Sequence, residues 1–228
     1  MDAYRATGKR RYLDDAERAL RFIARAGWAS SGGLWWNTTH PHKSGEALAS
    51  GTALAALLYE YTGKASHLAT FRKFATWADA HFTWKFRLYR RNDSDPTPMG
   101  YVEGPMIGAH EIVCRVAHDA GACARTRELA EATLQRFGSE VNHGQQYDSI
   151  YMRWMLELYR HDGDRRWYGL VRHNALRALQ NARDSSGLFM RAWDGGPARS
   201  ARFPGLLQTH ASTVSLFAWL AAAPVPEG

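Results

Sequence analysis

Cysteine is scarce in this chain, with only Cys114 and Cys123 among 228 residues. Two cysteines are too few for a disulfide framework or for a zinc site built from cysteine ligands. The composition therefore excludes the class of small disulfide-stabilised domains. We expect these two cysteines to be free thiols rather than bridged.

Long apolar runs are missing too. The longest, Ala53 to Tyr59 and Val214 to Ala223, fall short of the roughly 20 residues that span a bilayer. No basic segment followed by an apolar one opens the chain, as it would in a secretion signal. We therefore expect no membrane partner. For the chain as given we expect a cytoplasmic location, and if the natural start lies upstream of Met1 the location is not predicted.

The basic charge is not concentrated anywhere. The net charge of +7 comes from arginines scattered along the chain, whereas a nucleic-acid binder gathers its basic groups on one stripe. The sequence also lacks a glycine-rich phosphate loop, a Ser-His-Asp arrangement and a cysteine nucleophile. We expect no nucleic-acid partner and no cofactor. With 45% hydrophobic residues, the chain is predicted to form one soluble domain over residues 1–228.

What the chain does contain is a repeated helical hairpin. Four segments each read as an amphipathic helix that ends at a glycine, followed at once by a second helix. The glycines are Gly8, Gly63, Gly121 and Gly163, at spacings of 55, 58 and 42 residues. Each is predicted to close a helix in the left-handed conformation. The pattern indicates an all-α fold without strands.

The connections between hairpins are predicted to be long, about a dozen residues or more, and rich in Gly, Pro, Trp, Asn and His. Connections within hairpins are only a few residues. This alternation collects the long loops at one end of the hairpins and makes that end the functional face. The loops are Ser30 to Ser44, Trp84 to Gly104, Gly138 to Tyr147 and Asp184 to Leu207. Periodicity alone allows an open superhelix or a closed toroid, and the aromatic-rich loops favour the toroid.

The first long loop and the helix start after it, SSGGLWWNTTHPHKSGEALASG from Ser30 to Gly51, hold the densest group of ligand-binding side chains. Trp35 and Trp36 point in different directions in an extended loop, so one can pack beneath while the other offers a flat apolar face. Asn37, Thr38, His40 and Lys43 can orient hydroxyl groups. The alternative is that both tryptophans close the end of a helical core.

Four segments carry a resemblance to a known family: GGLWWN followed by a lysine, ALASGTALAALLYEYTGK, YVEGPMIGAHEIVCRVAHDAG and YDSIYMRWMLELYR. Over Ala3 to Ala222 the chain resembles glycoside hydrolase family 76, the endo-α-1,6-mannanases. The resemblance implies an (α/α)6 toroid that acts on α-mannan oligosaccharides or polysaccharides. It also implies a retaining mechanism with two neighbouring aspartates on one helix, one as nucleophile and one as acid/base.

The sequence departs from the family at that catalytic helix. The family's aspartate pair precedes the first hairpin glycine, but only seven residues precede Gly8. We therefore expect the catalytic helix to be missing, the ring to be incomplete at the N-terminus, and the exposed inner helices to promote self-association. Asp14 and Asp15 are rejected as substitutes because they fall in the opening turns of a second hairpin helix, where acidic residues complement the helix dipole. No catalytic residue is assigned.

Two functions therefore stay open. The chain is part of a glycosidase whose aspartate helix lies upstream of Met1, or it is a non-catalytic sugar-binding or scaffold remnant of that fold. Inspection of the in-frame DNA upstream of Met1 would separate them.

Three acidic residues recur where a long loop enters a helix: Glu46, Glu103 and Asp148. Taken singly, each suits a helix N-terminus, but their shared position suggests that at least one binds sugar hydroxyls. His40 and His42 lack a third ligand nearby, so no metal site is predicted. The predicted substrate-binding residues are Trp35, Trp36, Asn37, Lys43, Glu46, Glu103, Tyr147, Asp148 and His210.

Overall fold

The computed structural model describes residues 1–197 and 207–226, and these residues form α-helices joined by turns and loops. The described part holds no extended strand, only isolated antiparallel bridges such as those of Trp28 with Leu34 and Trp35 with Lys43. The all-α prediction is confirmed. The helices are α1 (Asp2–Thr7), α2 (Arg10–Phe22), α3 (Gly45–Thr62), α4 (Ala65–His81), α5 (Gly100–Ala117), α6 (Ala120–Phe137), α7 (Gln145–Asp162), α8 (Arg165–Asn181) and α9 (Leu207–Ala221).

The chain divides into two compact units, Met1–Ala132 and Thr133–Gly228. In unit 1, α3 packs against α5 and α4, and both α3 and α5 are buried over most of their circumference. Small residues of α3 also permit a close approach of the preceding segment. At Gly51, an added Cβ would lie only 3.0 Å from Leu34 and 3.2 Å from Ile23. The core of unit 1 therefore lies directly beneath the first long loop.

In unit 2, α7 packs against α8 and α9. Tyr151 and Met152 of α7 are fully buried, and the Tyr151 hydroxyl donates to Thr133 Oγ1 at 2.9 Å. Trp193 lies in the same core, where its indole N–H donates to Thr213 of α9 at 3.1 Å.

The helix ends confirm three of the four predicted glycine caps. Gly8, Gly63 and Gly163 adopt left-handed φ values of 65°, 62° and 72° at the ends of α1, α3 and α7. The prediction for Gly121 was wrong. The left-handed residue that ends α5 is His118, with φ 53°, and Gly121 lies inside α6. The turn comes three residues early because Asp119 caps the next helix by accepting from the Ala122 N–H at 3.1 Å.

Short turns and long loops alternate as the sequence predicts. Two residues connect α1 to α2, α3 to α4, α5 to α6 and α7 to α8. The α6–α7 connection differs from its prediction, because it is only the seven residues 138–144 and α7 already begins at Gln145. Residues 198–206 of the predicted Asp184 to Leu207 loop lie outside the described residues.

The prediction of free thiols was wrong. Cys114 and Cys123 form a disulfide with their Cα atoms 4.6 Å apart. Cys114 lies in the last turn of α5 and Cys123 in the first turn of α6, so the tight hairpin brings them within bridging distance. Disulfides persist mainly in oxidising compartments, which does not suit a cytoplasmic location; that location stays an untested prediction.

None of the described helices is long and apolar enough to cross a membrane.

Candidate functional site

The first long loop of unit 1 folds back on itself. A π-helical turn at Ile23–Gly27 continues α2 and leads towards this loop. The Trp35 N–H then donates to the Gly27 carbonyl at 2.9 Å, and the Trp36 N–H donates to the His42 carbonyl at 3.0 Å. At the tip, Asn37 Oδ1 accepts from the Thr39 amide at 2.9 Å and from its hydroxyl at 2.7 Å. Asn37 therefore shapes the turn that carries the two tryptophans.

Each tryptophan stacks on a histidine from the returning part of the loop. Trp35 and His40 have ring centroids 5.1 Å apart and an interplanar angle of 22°. Trp36 and His42 lie 5.5 Å apart at 12°. Trp36 is 53% exposed, whereas Trp35 is half-buried and so less accessible to solvent. The stacking restrains the Trp36 indole and leaves one of its faces to solvent.

Both tryptophans line an apolar pocket of about 180 Å³. Its other walls include Phe22 and Ile23 from the end of α2, together with Asn37 and Thr38. Phe22 is 57% exposed. The sequence interpretation missed Phe22 and Ile23, although two large apolar side chains directly before a tryptophan-rich loop could have suggested them. The pocket joins apolar surface with amide and hydroxyl groups.

Lys43 and Glu46 lie apart from this pocket. Lys43 Nζ donates to the Ser31 hydroxyl at 2.9 Å, and the side chain lines a different cavity with Trp77. Glu46 is exposed in the first turn of α3. Their contact with a ligand stays a prediction.

Glu103 is completely buried in α5. Its Oε1 accepts from the Tyr89 N–H at 2.8 Å, while Oε2 has no hydrogen-bond partner in the described part of the chain. Burial raises the pKa of Glu103 well above its ordinary value, because the charged form is poorly solvated. The buried Glu103 carboxyl thus holds the second long loop against α5. Its role as a sugar ligand stays a prediction.

This burial predicts a pH-dependent stability. The folded protein keeps the Glu103 proton while the unfolded chain releases it above the ordinary pKa of 4.5, so the free energy of unfolding falls as pH rises from 4.5 towards the raised pKa. Glu103→Gln removes this dependence. As pH rises, the gap in free energy of unfolding between variant and parent should therefore shift in favour of the variant, by up to about 1.4 kcal/mol per pH unit.

Urea unfolding between pH 4 and pH 8 measures this gap, with Glu46→Gln as the control for losing an exposed carboxyl. A constant gap between Glu103→Gln and the parent across that range would show that Glu103 is not held protonated.

The three predicted residues of unit 2 have intramolecular contacts. Asp148 is buried, and its Oδ2 accepts from the N–H groups of His143 at 2.8 Å and Gly144 at 3.0 Å. His210 Nδ1 accepts from the Phe189 N–H at 3.1 Å. Tyr147 is half-buried in the first turn of α7. The contacts of Asp148 and His210 fix the loops that lead into α7 and α9. Sugar binding by the three residues stays a prediction.

Asp14 and Asp15 occupy an exposed stretch of α2 close to its first residue. Asp14 Oδ1 accepts from Arg10 Nε at 2.9 Å, and Asp15 is paired with Arg18. Their side chains are 46% and 55% exposed. Both carboxylates therefore have arginine partners on their own helix, and their rejection as catalytic residues stays a prediction.

Comparison with known proteins gives matches only at the level of structure. No family model and no curated protein matches the chain. A family 76 glycoside hydrolase from a bovine strain of Bacteroides thetaiotaomicron superposes with a TM-score of 0.83 at 21% identity, over 96% of this chain and 53% of its own. The α-1,6-mannanase GH76A from a Salegentibacter species gives 0.82 at 20% identity, over 96% and 72%. The chain has the fold of the family 76 glycoside hydrolases.

Another solved structure with this fold is the Lin0763 protein from Listeria innocua, which gives a TM-score of 0.83 at 18% identity. It matches over 96% of this chain and 68% of its own. The chain thus spans from about half to about seven tenths of these structures. The predicted fold class, an array of helical hairpins of the (α/α)6-toroid type, is confirmed by these family 76 structures.

Within this family 76 fold, the described residues contain no group of three or more His, Cys, Asp or Glu side chains that could hold a metal ion. His40 and His42 instead stack on Trp35 and Trp36.

Proposed function

We propose that the chain binds α-1,6-linked mannooligosaccharides at the apolar pocket of the first long loop, and that Trp36 is the stacking surface. The observation that carries the proposal is the 53% exposed Trp36 indole, held by His42 at the rim of that pocket. Flat aromatic faces match the apolar side of pyranose rings. The fold likeness supports the ligand class, since an inactive variant of the Salegentibacter mannanase was solved with α-1,6-mannotriose.

The size and lining of the pocket fit one sugar unit. Its volume of about 180 Å³ lies below the roughly 300–1,000 Å³ of sites for drug-sized ligands. Asn37 and Thr38 line it beside the apolar residues. Asn37 Oδ1 is already engaged by Thr39, which leaves the amide NH2 to donate to a hydroxyl.

Alanine substitutions should distinguish the roles of the two tryptophans. Trp36→Ala should abolish detectable binding of α-1,6-mannotriose and leave the melting temperature nearly unchanged, because the side chain is exposed. Trp35→Ala should lower the free energy of unfolding by about 3 kcal/mol, because its ring packs in the loop and lines the pocket. Isothermal titration calorimetry and urea unfolding measure the two effects.

Trp84→Ala is the matched control, because Trp84 is also exposed, at 44%, but lies outside the apolar pocket. It should bind mannotriose like the parent. Unchanged binding by Trp36→Ala would overturn the proposed site, and equal losses in the Trp36 and Trp84 variants would show a general effect of removing surface tryptophan.

A further inference from the structure

A second cavity, of about 400 Å³, lies between the first and second long loops of unit 1. Three segments contribute to its lining: Ser31 and Lys43 come from the first loop, Trp77 and His81 from the end of α4, and Arg90 and Asp93 from the second loop. None of Ser31, Trp77, His81, Arg90 or Asp93 belongs to the apolar pocket around Trp36. We call this cavity the Lys43–Arg90 pocket.

Two glycines build one wall of the Lys43–Arg90 pocket. Gly32 and Gly33 have φ values of 81° and 85°, and a Cβ on them would lie 2.1 Å and 2.5 Å from atoms of the Trp77 indole. Only glycine allows the backbone to pass so close in this conformation. The passage places Ser31 against Lys43, whose Nζ lies 5.3 Å from the Trp77 ring centroid.

Hydrogen bonds donated by backbone N–H groups tie the two loops together at the pocket. The Lys43 N–H donates to Asp93 Oδ2 at 3.1 Å, and the Asp93 N–H donates to the Lys43 carbonyl at 3.2 Å. The Gly45 N–H also donates to the Arg91 carbonyl at 2.8 Å. The walls that carry Lys43 and Arg90 are therefore held in a fixed arrangement, as a preformed binding site requires.

Among the residues that the structure describes, the two cations of the pocket have no carboxylate partner. Lys43 Nζ donates to the Ser31 hydroxyl, and Arg90 Nε donates to the Thr83 carbonyl at 3.4 Å while its guanidinium lies over Trp84. No ion pair within 4.0 Å includes either side chain in residues 1–197 and 207–226. Other arginines of unit 1, such as Arg72, Arg87 and Arg125, are each paired with Asp or Glu.

The unused donors define the ligand chemistry. Lys43 keeps two ammonium donors and Ser31 keeps its hydroxyl proton, and within the described residues the terminal nitrogens of Arg90 donate to no protein group. Lysine and arginine donors converging on one cavity suit an oxyanion. Asp93 is the carboxylate in the lining, and it can accept from the hydroxyl groups of a sugar ring.

We propose that the Lys43–Arg90 pocket binds a phosphate-type oxyanion carried by a sugar. The oxyanion lies between Lys43 and Arg90 with the Ser31 hydroxyl as a further donor, and Asp93 accepts from the sugar hydroxyls. The volume of about 400 Å³ leaves room for the ring beside the anionic group. This site is separate from the mannooligosaccharide site proposed above and does not depend on it.

Titration calorimetry at low ionic strength with mannose 6-phosphate, inorganic phosphate and methyl α-mannoside tests the proposal. The parent should bind mannose 6-phosphate more tightly than inorganic phosphate, and methyl α-mannoside should not compete. Lys43→Gln combined with Arg90→Gln should weaken binding of mannose 6-phosphate by about 10- to 100-fold. Equal affinity for inorganic phosphate would overturn the sugar part, and undiminished binding by the double variant would overturn the site.

Lys85→Gln combined with Arg127→Gln is the matched control, since it removes one exposed lysine and one exposed arginine of unit 1 that do not line the pocket. It should bind like the parent, and an equal loss there would overturn the proposal in favour of general charge attraction. If the pocket double variant is poorly folded, Arg90→Lys with wild-type Lys43 keeps the charge and should retain binding. Trp36→Ala should leave binding of mannose 6-phosphate unchanged, which keeps the two proposals distinguishable.

Discussion

The purified 228-residue chain should release no new reducing ends from α-1,6-mannan above the blank. Retaining hydrolysis needs two carboxyl groups about 5 Å apart, one poised as nucleophile and one as acid/base. Asp14 and Asp15 are the only adjacent aspartates of the chain, and each is paired with an arginine on an exposed helix. We expect turnover on the order of 10⁶-fold or more below that of an ordinary glycosidase.

A solved relative shows how sharply this test discriminates. The Salegentibacter mannanase variant with two neighbouring aspartates changed to asparagine is described as inactive, so that enzyme in wild-type and inactive forms provides positive and negative controls. Ordinary turnover by the present chain would refute the expectation. In that event, loss of activity on replacing both Asp14 and Asp15 by Asn would show that this pair is catalytic, and undiminished activity would place the carboxyls elsewhere.

Replacing Arg125 by Met should lower the free energy of unfolding by about 3 kcal/mol or more. The Arg125 side chain is only 6% exposed and contacts Asp79 and Glu128, each at 2.9 Å. It also donates to the Arg87 carbonyl at 2.7 Å, and its guanidinium lies 5.1 Å from the Tyr89 ring centroid. The variant leaves Asp79 without its guanidinium partner and the Arg87 carbonyl without its donor, and a polar group that loses its partner on folding is destabilising.

Arg72→Met is the matched control from the same part of unit 1. Arg72 pairs with Asp119 at 3.2 Å but is 57% exposed, and exposed pairs contribute about 1 kcal/mol or less. Urea unfolding of both variants at one pH measures the difference. Equal losses would show that burial of the Arg125 network adds nothing. Arg125→Lys should fall between them, because it keeps the charge but loses the guanidinium fork.

For the candidate site, the residues predicted from the sequence do not all meet in one place. Trp35, Trp36 and Asn37 do line one pocket, because neighbouring residues of a short loop stay close in any fold. Lys43 lines a different cavity, and Glu103 is buried under the second loop. A position at the start of a helix says where a side chain lies along the axis, but not which neighbouring loop covers it.

Local rules fixed the parts of the fold that depend on a few consecutive residues. The helical period and the caps at Gly8, Gly63 and Gly163 followed from the sequence, because a left-handed cap needs only the backbone freedom of one residue. The same rule failed at Gly121, where the Asp119 side chain offers a competing cap and His118 takes the left-handed conformation.

Tertiary structure decided everything that depends on two segments meeting. The Cys114–Cys123 bridge needs the exact turn of α5 into α6, the Lys43–Arg90 pocket needs two loops hydrogen-bonded side by side, and the Arg125 network draws on α4, α6 and the second loop. Distances between such segments depend on how whole helices pack, which the sequence pattern of any single helix does not contain. The sequence by itself thus determined most of the helices and turns, and packing determined which side chains become neighbours.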